Sequence, residues 1–227
     1  MARKLFFGSV WLALTIYAIA SANFLTSNIE SDFELIAKMS TGQISGINPM
    51  LVAVFYIMGL FPLTYAAFIL FENKEEQVSP YPFFLGSMGL GAFALLPYLA
   101  LRKPDGTWNR QKSLFQKALD SRLMAISTSI ALIGLLSWGI TQGDWSDYLA
   151  QWQTTQFVHI MTIDFCFLSL LFPAVLNDDF QRRGVAGWLK AIAYIPLFGA
   201  LVYWCLRPQL AVKNESNELF ATDELVN

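Results

Sequence analysis

Asp164 is the one charged residue in the apolar stretch 157–176 and lies near its middle. A charged carboxylate at the centre of a bilayer-length segment costs about 2.5–3.5 kcal/mol on insertion scales, so it must be protonated, paired or turned to a polar interior. Two chemistries follow. One is a proton relay or ion-coupling site; the other is a structural hydrogen bond to a Ser or Thr of the stretch 123–140. Thr162 and His159 are close in sequence, and with Asp164 they form the candidate intramembrane polar site. His159 and Asp164 are five residues apart, which sets them about 140° apart around a helix, so they are not a natural pair. His159 is the sole histidine. One neutral imidazole can ligate a haem iron or a chlorophyll magnesium, but a bis-histidine haem is excluded within one chain. The alternative is an ordinary histidine near the start of a helix.

A second constellation is aromatic. Asp144 can cap a short helix on which Trp145, Tyr148, Leu149 and Trp152 fall at i, i+3, i+4 and i+7, one face. Aromatics so placed form an interfacial belt or contact a pigment such as chlorophyll or carotenoid, or a quinone. A third is basic: Arg102, Lys103, Arg110, Lys112, Lys117 and Arg122 lie between two apolar stretches, with Trp108, Phe115 and Leu119 on one face. That is the pattern of an amphipathic helix on anionic lipid. Asp178-Asp179 and Arg182-Arg183 read as a compact, self-neutralising turn. Cys166 and Cys205 lie in apolar segments without metal or redox spacing, and no nucleotide, hydrolase or zinc motif is present. No residue is assigned a catalytic role, and no metal site is expected.

The elements that must carry these groups are helices in a membrane. Of 227 residues 55% are hydrophobic and 14% charged, against about 25% charged in soluble domains. A net charge of −2 gives no basic footprint for nucleic acid. The fold expected is all-α: one polytopic transmembrane domain over 1–208, followed by a polar acidic tail over 209–227. Six spans are placed at 5–24, 49–71, 81–101, 123–140, 157–176 and 188–206. The first resembles a signal peptide but contains Trp11 and Tyr17, and it is read as a retained helix. Ser31 and Glu34 form a capping box for a short surface helix with Ile29, Phe33, Ile36 and Met39 on one face. Pro62, Pro97 and Pro173 should bend their helices. Gly86, Gly89 and Gly91, and Ser127, Thr128, Ser129, Gly134 and Ser137, are read as packing surfaces. With six spans, ten Lys and Arg fall on one side and five on the other, which places both termini outside the cytoplasm. Leu101-Arg102-Lys103-Pro104 and Leu206-Arg207-Pro208 end two stretches alike, as in a 3+3 inverted repeat.

The stretches from Asn48-Pro49 to Glu72, from Pro80 to Arg102, from Phe157 through Asp164 to Gly184, and from Tyr194 to Pro208 resemble small multi-span membrane proteins of cyanobacteria and chloroplasts. The resemblance implies a thylakoid or plasma membrane and no catalytic residues. The function expected is a non-enzymatic accessory or assembly protein of a photosynthetic membrane complex, with the lipid bilayer and subunits of that complex as partners. The alternative is a small solute or ion-coupled transporter using Asp164.

Overall fold

The computed structural model describes residues 1–25, 29–71, 78–103, 108 and 111–210. Arg110 and most of the expected acidic tail lie outside the described residues. Among the described residues every regular element is a helix: α1 Ala2–Ser21, α2 Ile29–Ser40, α3 Pro49–Ile69, α4 Pro80–Leu90, α5 Ala92–Leu101, α6 Leu114–Leu119, α7 Arg122–Gln142, α8 Trp145–Thr154, α9 Gln156–Leu171, α10 Pro173–Arg182, α11 Trp188–Ala193 and α12 Phe198–Leu206. Four helical stretches are long and apolar enough to cross a membrane: α1, α3, α7 and the 27-residue run of α9 with α10.

Helix α3 is the centre of the bundle. Pro49 occupies its first turn, where a missing N–H is harmless, and the Asn48 side chain accepts from the Met50 N–H at 3.0 Å. The same Asn48 amide donates to the Asp144 carbonyl at 2.7 Å, tying the start of α3 to the end of α7. The two helices run antiparallel in close contact, because a Cβ at Gly139 would stand 2.6 Å from the Ala53 Cβ. Gly139 and Gly143, rather than the expected Gly134, are where α7 needs a glycine; Gly134 faces open space. Helix α9 lies parallel to α3, with Phe61 against Phe165 and the Tyr65 hydroxyl donating to the Leu168 carbonyl at 2.5 Å.

The expected third and sixth spans do not cross the bundle. Helices α4 and α5 form a hairpin that turns at Gly91 (φ 50°, ψ −126°). The Phe83 and Tyr98 rings lie 5.5 Å apart across it, whereas a straight helix would separate them by about 22 Å at 1.5 Å per residue. Helices α11 and α12 form a second hairpin, turning at Leu197 (φ 64°). Lys190 and Tyr203 both meet the Phe180 ring, at 5.6 and 4.9 Å. Both hairpins return to the end of the bundle from which they entered.

This exposes a repeat. Each half of the chain consists of a long helix (α1, α7), a short helix at one end (α2, α8), a second long helix (α3, α9–α10) and a hairpin (α4–α5, α11–α12). Residues 93–102 and 198–207 match as Phe93/Phe198, Leu96/Leu201, Tyr98/Tyr203, Leu101/Leu206 and Arg102/Arg207. With two long helices per half, the halves run in the same sense, so the expected inverted repeat is corrected to a parallel one.

The two ends differ in charge. At one lie α2 and α8, with Glu30, Asp32, Glu34, Asp144 and Asp147. Eleven of the twelve described Lys and Arg residues lie at the other end, Lys38 being the exception. The basic end is held by buried ion pairs. Asp179, fully buried, accepts from Arg183 Nε at 2.9 Å, Tyr203 at 2.8 Å and Arg207 at 3.0 Å. Asp120 meets Lys112 at 2.6 Å and Arg183 at 2.8 Å, and Arg102 pairs with Asp178. The turn 178–183 therefore does more than neutralise itself: it receives an arginine from the end of each hairpin.

Arginines and a glutamine also complete the end of α3, whose last carbonyls have no intrahelical donors. Arg207 donates to the Ala67 carbonyl at 2.8 Å, Arg182 to Phe68 at 3.1 Å and Gln116 to Leu70 at 2.6 Å. Removing one partner from a buried ionic network costs about 3–5 kcal/mol, because the remaining charge is stranded. Arg207→Met should lower stability by about that amount in denaturant titration, whereas Lys38→Met, which breaks an exposed pair with Glu34, should change it by less than about 1 kcal/mol.

Candidate functional site

The hairpin α4–α5 creates a problem that Asp164 solves. Helix α5 starts inside the bundle, and the first amides of a helix have no intrahelical acceptors. Gly91, the residue before it, has no side chain to supply one. Asp164, 4% exposed on α9, accepts the Ala92 N–H at 2.8 Å through Oδ1. Its charge also faces the positive end of the α5 dipole. The fit requires glycine, since a Cβ at Gly91 would stand 1.7 Å from Asp164 Oδ2. Oδ2 itself accepts no hydrogen bond from the described residues.

Beside this junction is a cavity of about 760 Å³. Helix α2 supplies Ile29, Asp32, Phe33 and Ile36; α3 supplies Phe55, Tyr56, Met58 and Gly59; and the hairpin tip supplies Ser87 to Gly91 with Phe93. Helix α9 completes it with Gln156, Phe157, Ile160, Met161 and Asp164, and Ala18 adds an edge from α1. Asp164 and Gly91 lie at its inner end, and α2 lies over its acidic end. Asp32 performs there what Asp164 does below: its Oδ2 accepts the Phe157 N–H at 3.1 Å, near the start of α9. Two carboxylates from neighbouring elements thus cap two helix starts around one cavity.

The expected polar site divides into three. Asp164 meets the α5 amide. The expected Ser or Thr partner on α7 is replaced by this backbone group, because the tip of α5 rather than α7 reaches Asp164. Thr162 shares a hydrogen bond with the Tyr148 hydroxyl at 2.7 Å and donates to the Val158 carbonyl. His159 lies between Tyr17 and Trp152, with Nε2 on the Tyr17 hydroxyl at 2.7 Å and Nδ1 on the Trp152 carbonyl at 2.8 Å. Both ring nitrogens are engaged, so His159 does not fit an axial role to a chlorophyll or a haem. Its environment is a stack, with Trp152 at 4.8 Å and Tyr17 at 5.8 Å.

The aromatic face of α8 splits likewise. Asp144 caps the helix as expected, accepting from the Ser146 amide and hydroxyl and from the Asp147 amide, and the hydroxyl first and then the amides hold its carboxyl below the usual range. Tyr148 and Trp152 turn inward onto α9, while Trp145 and Leu149 are exposed. The apolar face of α2 covers the cavity. Ser31 does not cap that helix, which begins two residues earlier at Ile29. In the basic segment, Arg102 and Lys112 are corrected from lipid-facing to inward: Arg102 is buried against Asp178, and the half-buried Lys112 pairs with the buried Asp120. Lys103, Lys117 and Arg122 are exposed. The helix there is the six-residue α6, which opens on a Ser113–Gln116 capping box. Among the described residues no group of three or more His, Cys, Asp or Glu could hold a metal ion.

Compared with known proteins, the chain matches no family model, no curated protein and no solved structure. The site therefore rests on its own geometry. Sequence reasoning found Asp164 and missed Gly91 and Asp32. The signal for Gly91 was the spacing of Gly86, Gly89 and Gly91 in one apolar stretch; Asp32 carried none. Gly91→Ala should lower stability by at least about 1–3 kcal/mol, from backbone strain alone, and Gly89→Ala, with open space at its Cβ, should be neutral or stabilising by up to about 1 kcal/mol, since alanine favours the helix over glycine. Thermal unfolding of the two variants side by side checks this.

Proposed function

We propose that the chain is an integral membrane protein with four crossings and two re-entrant hairpins, and that its cavity holds one lipophilic molecule. The crossings are α1, α3, α7 and α9–α10. Exposed faces of α1 (Leu5, Phe6, Leu12, Ile16, Ile19) and α7 (Leu123, Ile126, Ile130, Ile133) support a lipid environment, being far more apolar than a water-facing surface. The eleven-to-one division of described Lys and Arg supports a cytoplasmic basic end. On this reading Met1 and Leu210 both lie on the cytoplasmic side. Six crossings would give the opposite orientation, with both termini outside the cytoplasm.

The observation that carries the functional reading is the hairpin tip seated on Asp164 at the inner end of an apolar cavity. At about 760 Å³ the cavity falls within the range of small-molecule sites, about 300–1,000 Å³, and it has their mixture of aromatic walls and a few polar groups. The role that fits is a non-enzymatic accessory protein that receives a lipophilic molecule and presents it to neighbouring subunits. A photosynthetic membrane is the setting implied by the resemblance of the sequence.

A second reading has a specific observation behind it. Discontinuous helices with a half-helix terminus at a mid-membrane site recur in carriers, and α5 starts beside Asp164. In that reading Asp164 couples ion movement to transport.

Gly59 lines the cavity with nothing within 4 Å of where its Cβ would be, so Gly59→Phe fills the cavity without a backbone clash. Protein purified from its own membranes should carry a stoichiometric lipophilic molecule, detected by solvent extraction and mass spectrometry. Gly59→Phe should lose most of it while remaining folded. Equal retention by both proteins, or no bound molecule in either, counts against the reading.

A further inference from the structure

The charge of the cavity narrows its ligand. Of the residues that line it, Asp32 and Asp164 are the carboxylic acids, and no Lys, Arg or His is among them. The other walls are mainly aromatic, aliphatic and thioether side chains, Phe33, Phe55, Phe93 and Phe157 among them. Aromatic faces attract cations, and more strongly when water is excluded. An apolar cavity of one sign of charge also focuses its field on a ligand of the other sign.

Asp164 is the residue that decides it. The side chain is 96% removed from solvent, with 4% exposed. Oδ1 is committed to the Ala92 N–H at 2.8 Å. One amide and one helix end compensate only part of a full charge, worth about half a unit. Oδ2 accepts nothing from the described residues, and it is the atom beside Gly91 at the inner wall of the cavity. Asp164 lines the cavity, so a donor or a cation bound there would complete its second oxygen. A neutral lipid tail would leave that oxygen unsatisfied, and a lipophilic anion would meet two carboxylates.

We propose that the cavity is a site for a lipophilic cation, a hydrophobic amine or onium compound whose charge sits at Asp164 and whose body lies among Phe55, Phe93 and Phe157. This rests on the reading of the cavity as a ligand site. It adds the chemical class of the ligand and gives Asp164 a binding role alongside its structural one.

The test uses three probes of similar shape on the purified full chain: tetraphenylphosphonium, tetraphenylborate and neutral triphenylphosphine oxide. Saturable binding of tetraphenylphosphonium, at least 10-fold tighter than tetraphenylborate, is expected for the wild type. Asp164→Asn keeps an acceptor for the Ala92 amide and removes the charge. It should weaken tetraphenylphosphonium at least 10-fold and change triphenylphosphine oxide by less than 2-fold. If the cation and the neutral probe bind equally, or the borate binds tighter, the charge argument is overturned while the cavity reading stands. If none of the three binds to folded wild-type protein, both fall. The wild-type comparison needs no variant, so an Asp164→Asn protein that fails to fold leaves the test intact.

Discussion

A helix that stops in the middle of a packed bundle leaves amides or carbonyls without partners, and the architecture is organised around supplying them. In hydrocarbon each unsatisfied backbone group costs several kcal/mol, so irregular backbone survives there only where protein groups complete it. The break at Gly91 is the sharpest case. It buries the first amide of α5, and the nearest element answers with Asp164. A carboxylate that would be a liability in a continuous span becomes the acceptor that allows the span to be replaced by a hairpin. The cavity follows from the same geometry, because a hairpin that turns back at mid-depth leaves the space beyond its tip unfilled.

The basic end solves the complementary problem. There the carbonyl ends of α3, α5 and α12 converge, and arginine is the side chain with enough donors to serve several acceptors at once. Arg207 alone reaches Ala67, Leu119 and Asp179. The acids Asp120, Asp178 and Asp179 then balance those arginines in a space with little solvent. The pairing of Arg102 with Asp178 and of Arg207 with Asp179 joins the two hairpins, one from each half of the repeat, to adjacent residues at the end of α10. The duplication and the ionic cluster are thus one feature: matched hairpins ending in matched arginines on a shared acidic pair.

Much of this was legible in the sequence, and the rest was hidden for identifiable reasons. Composition and segment length gave the helical class and the four long helices. Asp164 announced that it needed a partner, and Asp144 its cap. Hydropathy did not distinguish a crossing from a hairpin, because twenty apolar residues satisfy oil equally well folded back on themselves. The turn at Gly91 needs only a residue that tolerates positive φ, and Leu197 at the second turn is not even a glycine. The partner of Asp164 was invisible for a related reason: it is a backbone amide, which every residue but proline carries. His159 looked available for a metal until Tyr17, which is 142 residues away in sequence, was seen to occupy Nε2. The basic segment looked like a lipid-binding surface because Asp178, the partner of Arg102, is 76 residues away in sequence, and nothing in the sequence singles out Asp120, within the segment, as the partner of Lys112.

The claim on which the account stands is that residues 80–101 turn back rather than cross. Spin labels at positions 81 and 101, with the distance between them measured by pulsed electron resonance in the purified protein, test it directly. The hairpin predicts a separation under about 20 Å, whereas a continuous helix at 1.5 Å per residue places the same positions about 30 Å apart. A distribution centred near the longer distance would make residues 80–101 one continuous helix, remove the role given to Asp164 and close the cavity as drawn.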